Sequence, residues 1–252
     1  MSRLVLGINA VRAALLERPR EVRRLLLKAG TEGGEIALLA RSRGVRWRSV
    51  SQEELGRIGQ GGKHQGVIAE LAELRYWTLD EILDRIPPGE PPLLVLLDGI
   101  EDPGNLGAII RSAAVFGAHG IVLPRDRAAG VTPAAGRAAA GALESARIAQ
   151  VVNLSRAIDE IKERGVWVAA AEQSAEKLAW EADLGGPIAI VVGGEGKGVR
   201  PLVRRHCDLA VRIPMRGTVG SLNASVAAGV LLYEVARQRA RPPVLDNSSD
   251  LH

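Results

Sequence analysis

From residue 93 onward, the sequence alternates short, almost entirely apolar runs with helix-like stretches. The apolar runs cover residues 93–97, 121–123, 166–170, 188–192 and 209–213, and the helix-like stretches cover residues 105–116, 133–142, 154–164 and 223–239. Strands without polar positions are buried on both faces, as in parallel sheets that carry helices on both sides. We therefore predict an α/β domain with a mainly parallel sheet, in which ligands bind at the carboxyl ends of the strands.

A smaller α/β unit is predicted in front of this domain. The apolar spacing favours helices near residues 10–15 and 36–40, and strands are predicted at 22–27, 45–50 and 66–71. The proline-rich stretch at 87–92 cannot continue a helix, although residues 77–83 have the pattern of a short one. We predict domains at 1–75 and 93–240, a linker at 76–92 and a disordered tail at 241–252.

Positive charge is concentrated in the first unit. Residues 1–75 contain 14 Lys or Arg and 8 Asp or Glu, whereas the other residues contain 19 and 21. Lysine and arginine side chains neutralise phosphates and supply most of the sequence-independent affinity for nucleic acids. Arg23, Arg24, Lys63 and His64 are the candidates for RNA contacts, and a merely solvated surface is the alternative.

The composition argues against several classes of protein. Cys207 is the single cysteine, so an internal disulfide is excluded, and the four scattered histidines give no metal-ligand spacing. No apolar run reaches the roughly 18 residues of a membrane span, and the first residues lack the apolar core of a signal peptide. We expect a cytoplasmic protein that binds no metal.

The first of three candidate site segments follows the apolar run at 93–97. Its turn, Asp102-Pro103-Gly104-Asn105, combines a proline that fixes φ with a glycine that tolerates a positive φ. The turn delivers Asn105 to a helix start, where this residue could simply be an N-cap. Arg111 lies further along the helix among alanines and isoleucines. An arginine in such a setting needs a partner, either an RNA phosphate or a carboxylate in a structural salt bridge.

The second segment, residues 193–198, places four glycines around Glu195 and Lys197. Glycines allow the backbone to approach a ligand closely. The phosphate-binding P-loop requires Ser or Thr after Gly-Lys, where this chain has Gly198, and the dinucleotide-binding glycine spacing is also absent. Glu195 is therefore a candidate site residue, or a carboxylate at a helix start.

The third segment contains Ser221, Asn223 and Ser225 in front of the long helix-like stretch at 223–239. Neither serine stands in the Gly-x-Ser-x-Gly pattern of serine hydrolases, and none of the three segments contains a histidine. Ser221 and Asn223 could simply start the helix. Because all three segments begin where a predicted strand ends, we expect them to form one site.

In this order, the three segments resemble the motifs of the SpoU-type, TrmH-like RNA 2′-O-ribose methyltransferases. Residues 7–11 (Gly-Ile-Asn-Ala-Val) and 64–67 (His-Gln-Gly-Val) are similar to signatures of the ribosomal-protein-L30e-like RNA-binding domain of many members. The resemblance covers nearly the whole chain. Residues 195–196 and 205–208 most resemble the branch of bacterial 23S rRNA guanosine 2′-O-methyltransferases that act in the peptidyl-transferase region.

This resemblance implies an S-adenosylmethionine-dependent RNA methyltransferase that forms a homodimer, with a trefoil-knotted SPOUT-type α/β domain behind an L30e-like one. By motif position, the implied catalytic residues are Asn105, Arg111, Glu195, Ser221 and Asn223, and the implied cofactor-binding residues are Gly193, Ile213 and Leu222. Gly220 departs from the pattern, because close relatives often carry Ser there. Two alternatives stay open: tRNA or another rRNA as the substrate, and a non-catalytic RNA-binding or ribosome-assembly protein with the same fold.

The implied reaction is in-line attack of a ribose 2′-hydroxyl on the sulfonium methyl group, and it requires no metal. Because attack discharges the sulfonium, alignment and loss of the hydroxyl proton should dominate the barrier. Arginine almost never loses its proton in proteins. We therefore interpret Arg111 as the residue that orients the phosphate and the hydroxyl, while Glu195 and Asn223 fix the arginine and the ligand.

Overall fold

A computed structural model gives the three-dimensional structure of the chain. It describes residues 2–126, 128–218 and 220–240. The tail predicted at 241–252 lies outside these ranges. No helix in the described ranges is long and apolar enough to cross a membrane.

The first unit is a four-stranded mixed sheet with helices on both faces. Its elements are β1 (Ser2–Leu6), α1 (Ile8–Glu17), β2 (Val22–Lys28), α2 (Glu35–Ser42), β3 (Trp47–Val50), α3 (Gln52–Ile58) and β4 (Val67–Ala72). The strand order is β1-β4-β2-β3, and only β2 and β3 are parallel. Helix α1 buries Val11, Ala14 and Leu15, which recur at helical spacing and so form one apolar face. The predicted small α/β unit is confirmed.

Two elements of this unit were not predicted. Strand β1 is an edge strand in which only Val5 is buried, so its sequence carries little apolar signal. Helix α3 buries a single residue, Leu55, and starts because Ser51 accepts a hydrogen bond from the backbone N–H of Glu54 over 3.1 Å.

The second unit is built on a six-stranded sheet. Its strands are β5 (Leu93–Asp98), β6 (Gly120–Pro124), β7 (Ile148–Val151), β8 (Trp167–Ala171), β9 (Ile188–Gly193) and β10 (Leu209–Val211). Its helices are α4 (Leu79–Leu83), α5 (Pro103–Val115), α6 (Pro133–Ala139), α7 (Leu154–Glu163), α8 (Pro201–His206) and α9 (Ala224–Arg239). The strand order is β10-β8-β9-β5-β6-β7, and every pair is parallel. This confirms the predicted parallel α/β layout.

Both faces of this sheet are covered, which explains the unbroken apolar strands. Alternate residues of a strand point to opposite faces. In β5, Leu93, Val95 and Leu97 join the core under α5, α6 and α9, whereas Leu94 and Leu96 join the core under α4 and α7. Helix α5 packs closely on α6, because a Cβ added at Gly107 would lie 2.3 Å from the carbonyl oxygen of Ala135.

The segment predicted as a linker contains the short helix α4, in agreement with the pattern at 77–83. Thr78 and Glu81 form a capping box at its start. Leu79, Ile82 and Leu83 are buried against the six-stranded sheet. These residues of the predicted linker therefore pack on the sheet of the second unit.

Candidate active site

The three motif segments meet at the carboxyl end of the six-stranded sheet. Asp98 ends β5 and lies beside Gly193, which ends the neighbouring β9. The first segment continues from Asp98 into α5, and the second from Gly193 into a glycine-rich loop. The second and third segments line an open pocket of about 600 Å³. The first segment contacts both of them through the side chain of Asn105. The three segments therefore lie together at the strand ends, as expected for one site.

Asp98 anchors the loop that follows β9. Its side chain is fully buried and accepts hydrogen bonds from the backbone N–H and from Nε of Arg200, each over 2.7 Å. Its backbone carbonyl accepts a further hydrogen bond from the N–H of Gly194 over 2.9 Å. A buried carboxylate is stable only when its oxygens are paired. Asp98 therefore ties both ends of residues 194–200 to β5, Gly194 through its backbone carbonyl and Arg200 through its carboxylate.

Two glycines at the start of this loop are required by close backbone packing. A Cβ at Gly193 would lie 2.0 Å from the carbonyl carbon of Gly198, and one at Gly194 would lie 2.1 Å from the carbonyl oxygen of Gly99. Gly196 has a φ of +78°, a conformation that side chains disfavour. The glycines thus form a tight turn, which presents Glu195 to the first and third segments.

Asn105, Glu195 and Asn223 form a closed cluster of hydrogen bonds. The amide nitrogens of Asn105 and Asn223 donate to Glu195 Oε1 over 2.9 Å and 2.6 Å, and Asn223 Nδ2 also donates to Asn105 Oδ1 over 2.9 Å. Each residue comes from a different motif. The cluster leaves Glu195 Oε2 free of these contacts, so a carboxylate oxygen remains for a ligand.

The helix caps separate structural from site roles. Asp102 caps α5 by accepting from the N–H of Asn105 over 2.7 Å, so Asn105 is not the N-cap that its position also allowed. Asn223 does cap α9, since its Oδ1 accepts from the N–H of Ser225 over 2.9 Å. Its Nδ2 is used in the cluster with Glu195. One side chain thus starts the helix and holds the site.

The pocket contains all three candidates for cofactor binding. Gly193, Ile213 and Leu222 line it, as do Ser221 and Met215. Ile213 and Met215 give an apolar wall, and the glycine loop gives a wall of backbone groups. Several polar side chains, among them Gln173 and Lys197, complete the lining. A pocket of several hundred cubic ångströms that combines an apolar wall with polar groups is typical of cofactor and small-molecule sites.

Arg111 lies outside the pocket lining. Ile109, Ile110 and Ala113 are the buried residues around it, whereas Arg111 itself is exposed. Within the described part of the chain it makes no hydrogen bond or ion pair. The described residues therefore provide no structural salt bridge for Arg111, and its apolar neighbours do not enclose the guanidinium. Glu195 and Asn223 bond to Asn105 and to each other rather than to Arg111, so their role in fixing the arginine stays a prediction.

The candidates for RNA contacts differ in exposure. Arg23 and Lys63 are exposed. Arg24 is also exposed but forms an ion pair with Glu70 over 3.0 Å on the sheet surface. His64 is buried, and its Nδ1 accepts a hydrogen bond from the N–H of Gly66 over 3.2 Å. A surface contact between His64 and RNA is therefore not supported, because the imidazole shapes its own loop.

Some functional residues were missed in the sequence. Asp98 and Arg200 were not singled out, although a carboxylate that directly follows five apolar residues is a usable signal for Asp98. Arg200 carries no such signal, because its pairing depends on the fold. Among the described residues, no group of three His, Cys, Asp or Glu side chains is placed to hold a metal ion. Cys207 is buried, and this burial raises the pKa of its thiol to about 12.

Family models match both units of the chain. Residues 92–233 match the model of the SpoU rRNA methylase family. Residues 4–77 match the model described as RNA 2′-O ribose methyltransferase substrate binding.

Curated proteins and solved structures are similar over nearly the full length. The chain is 40% identical to a 23S rRNA (guanosine-2′-O-)-methyltransferase RlmB of Pseudomonas syringae pv. tomato, covering 94% of this chain and 96% of the relative. It is 42% identical to the RlmB protein of Ralstonia nicotianae, and the match covers 96% of this chain and 98% of the relative. The crystal structure of the SpoU methyltransferase AviRb from Streptomyces viridochromogenes with AdoMet superposes with a TM-score of 0.77, at 31% identity, covering 94% and 90%.

Proposed function

Because this chain belongs to the SpoU rRNA methylase family, we propose that it transfers a methyl group from S-adenosylmethionine to the 2′-hydroxyl of a ribose in RNA. The observation that carries this proposal is the hydrogen-bonded cluster of Asn105, Glu195 and Asn223. The cluster joins three motifs at the mouth of a pocket that the expected cofactor residues line.

The proposed substrate is a guanosine of 23S rRNA, in the peptidyl-transferase region. The names of the two RlmB relatives state guanosine 2′-O-methylation of 23S rRNA, and each relative aligns with almost the whole chain, including the first unit. The peptidyl-transferase region is the expectation from the sequence resemblance. The match of residues 4–77 to a substrate-binding model supports an RNA substrate. The exposed Arg23, Arg24 and Lys63 supply positive charge for its phosphates.

S-adenosylmethionine, when bound, supplies an electrophilic methyl group on its sulfonium. Gly193, Ile213 and Leu222 would hold it, with the apolar side chains against the adenine and the glycine loop close to its polar edges. The AdoMet complex of AviRb supports this choice of cofactor. The donor set also fits, because apolar side chains and backbone groups of a pocket recognise a flat, uncharged ring.

The chain's own residues would mainly align the reaction. Arg111 has an exposed guanidinium without a partner among the described residues, and such a group can hold a phosphate through two parallel hydrogen bonds. The attacking hydroxyl would then lie between this phosphate and the methyl group. Glu195 and Asn223 fix each other at the pocket mouth, and Ser221 lines the same pocket. Positioning of this kind lowers a barrier by removing the need to order two reactants.

We propose the following organisation for the chain. Residues 1–75 form an L30e-like domain that binds RNA, and residues 93–240 form the methyltransferase domain with a trefoil knot. Residues 76–92 link the two domains. The proposal of a knot rests on membership in the SpoU family and on the likeness of the chain to the AviRb structure. The mixed sheet with helices on both faces supports the first domain.

A homodimer in the cytoplasm is also proposed. Val226, Val230 and Tyr233 on α9 are exposed although they are large and apolar, and Val115 on α5 is 71% exposed. Helices α5 and α9 pack side by side through the contact of Ser112 with Gly229 and of Phe116 with Tyr233. Such an apolar face on two adjacent helices fits a second copy of the chain.

The experiment that tests the function is transfer of labelled methyl from S-adenosylmethionine to 23S rRNA that lacks modifications, followed by mapping of the labelled nucleotide. Label on tRNA alone would identify tRNA as the substrate and still support 2′-O-methyl transfer. Binding of S-adenosylmethionine without transfer to any RNA would instead support a non-catalytic RNA-binding or ribosome-assembly protein.

A further inference from the structure

Glu144 lies where the first unit contacts the second. Its side chain is 2% exposed, and both carboxylate oxygens are paired with the guanidinium of Arg3 in β1. Arg3 Nη1 donates to Glu144 Oε1 over 2.9 Å, and Nη2 donates to Oε2. This bidentate contact fixes both the orientation and the separation of the guanidinium and the carboxylate, because both groups are planar. It joins residues that are 141 positions apart in sequence.

The backbone near Glu144 makes further contacts with the first unit. Arg18, which follows α1, donates from Nε to the carbonyl oxygen of Glu144 over 2.7 Å. Gly141 has a φ of +97°, and a Cβ there would lie 2.9 Å from the carbonyl oxygen of Asn9. The start of α1 thus rests directly on the turn at residues 141–144. Only glycine fits this approach without displacing α1.

The chain connection between the units is also short and packed. Strand β4 ends at Ala72, and the N–H of Trp77 already donates to the carbonyl oxygen of Ile148 over 2.8 Å. Between them, Leu74 and Tyr76 pack against the core of the second unit. The first unit is therefore held at two places, the connector and the Glu144 contact.

The turn that carries Glu144 is close to the proposed catalytic helix. It follows α6, and α6 packs on α5 at Gly107, two residues beyond Asn105. A rotation of the first unit about the connector would break the contact between Arg3 and Glu144. Such a rotation would also change the distance from the exposed cations of the first unit to the pocket.

We propose that Glu144 is a positioning residue that fixes the RNA-binding unit relative to the methyl-transfer pocket and thereby selects the nucleotide that is methylated. This inference rests on the proposed function. RNA held by the first unit presents one ribose at a set distance, and a displacement of about 1 Å can cost a hundredfold in rate. Glu144 itself touches neither RNA nor cofactor.

The test compares Glu144→Gln with Glu160→Gln. Glu160 forms an exposed ion pair with Arg156 within α7, so its variant removes the same charge without affecting the contact between units. Two quantities are measured on each protein: kcat/KM with 23S rRNA, with mapping of all labelled nucleotides, and the dissociation constant of S-adenosylmethionine. Rates are expressed per molecule that binds S-adenosylmethionine, so that unfolded protein does not count.

A second readout needs no RNA. Spin labels are attached to Ser42→Cys in the first unit and Glu163→Cys in the second, both exposed positions, and the labelled protein is diluted with unlabelled protein. The native Cys207 is buried and unreactive at neutral pH, because the pKa of its thiol is raised to about 12. The distance distribution between the labels reports the orientation of the units directly.

For Glu144→Gln we expect a broader distribution of distances between the spin labels. We also expect kcat/KM to fall by about tenfold or more and label to appear at additional nucleotides. The dissociation constant of S-adenosylmethionine should change by less than about twofold. Arg3→Met should give the same results as Glu144→Gln. The double variant should lose little more kcat/KM than either single variant, because both substitutions remove the same contact. A Glu144→Gln protein that matches Glu160→Gln in distance distribution and in labelled nucleotide would overturn the proposal. If the wild type labels no RNA, the proposed function fails, while the distances still show whether Glu144 fixes the units.

Discussion

The amide nitrogen of Asn223 lies 2.6 Å from Glu195 Oε1, while the amide oxygen of the same side chain caps α9. The start of the last helix and the glycine loop of the second motif are therefore held by one residue. Any change that keeps the cap but removes the amide nitrogen separates the two roles.

Asn223→Asp makes this separation. Aspartate caps helices as well as asparagine does, but it places a second carboxylate against Glu195. Like charges at this distance repel, so the cluster should open and methyl transfer should fall by about a hundredfold, with little change in Tm. The matched control is Asn153→Asp, the N-cap of α7, which accepts from the N–H of Arg156 outside the pocket. Equal activity of the two variants would contradict a site role for Asn223.

Arg111→Lys tests the bidentate role of the arginine. Lysine keeps the charge but cannot form two parallel hydrogen bonds to a phosphate. We expect kcat to fall by about tenfold or more, and Tm to stay within error because Arg111 is exposed and has no partner in the described chain. Arg156→Lys, on an 82% exposed side chain, is the control. An Arg111→Lys enzyme with nearly full rate would show that a point charge suffices.

Asp98→Asn should loosen the loop that carries Glu195. The neutral amide cannot replace the paired carboxylate oxygens that receive Arg200, so about 2 kcal/mol of unfolding free energy should be lost. The affinity for S-adenosylmethionine should fall too, because the loop lines the pocket. Asp208→Asn breaks the contact with Lys162 away from the pocket and serves as control. Calorimetric titration with S-adenosylmethionine measures the affinity of each variant for the cofactor. Equal affinity in both variants would contradict the anchoring role of Asp98.

His119 should make the stability depend on pH. Burial lowers the pKa of its imidazole below the usual 6.5, although Glu90 opposes this shift and Arg239 and Arg147 add to it. The unfolded chain then binds a proton more readily than the folded one. The stabilisation is fully present above pH 6.5 and decreases as the pH falls toward the lowered pKa.

Urea unfolding between pH 5 and 8 measures this dependence. The wild type should lose stability on the acid side. His119→Asn should have a flatter profile, because asparagine can still accept from the N–H of Leu93, as His119 Nδ1 does over 3.0 Å, but does not titrate. Parallel profiles of the two proteins would assign the acid sensitivity to other groups.

The elements that could be predicted from sequence are those with a strong local pattern. Strands β5 and β9 are apolar at nearly every position, so their burial on two faces could be predicted from the sequence. Strand β7 was missed because it is four residues long at the sheet edge and contains Gln150. Helix α8 was missed because six residues with one buried side chain, Val203, give no periodic signal.

The site was predictable where residues act from their own motif. Glu195 was identified because it stands in a glycine turn after a strand, whereas a site role for Asn223 came only from the resemblance of its segment to the family motif. The pairing of Asp98 with Arg200 spans 102 residues and arises only when β5 and β9 lie side by side. For Arg111, apolar neighbours in sequence suggested enclosure, but the helix turns those neighbours toward the core and leaves the arginine in solvent.

The most direct test of the central claim is methyl transfer from labelled S-adenosylmethionine to unmodified 23S rRNA, with the labelled nucleotide mapped and Arg111→Ala as the inactive control. We predict one principal 2′-O-methylated guanosine in the peptidyl-transferase region, and loss of this label with Arg111→Ala. Absence of label on 23S rRNA and on every other RNA offered, in a protein that binds S-adenosylmethionine, would contradict the proposed activity.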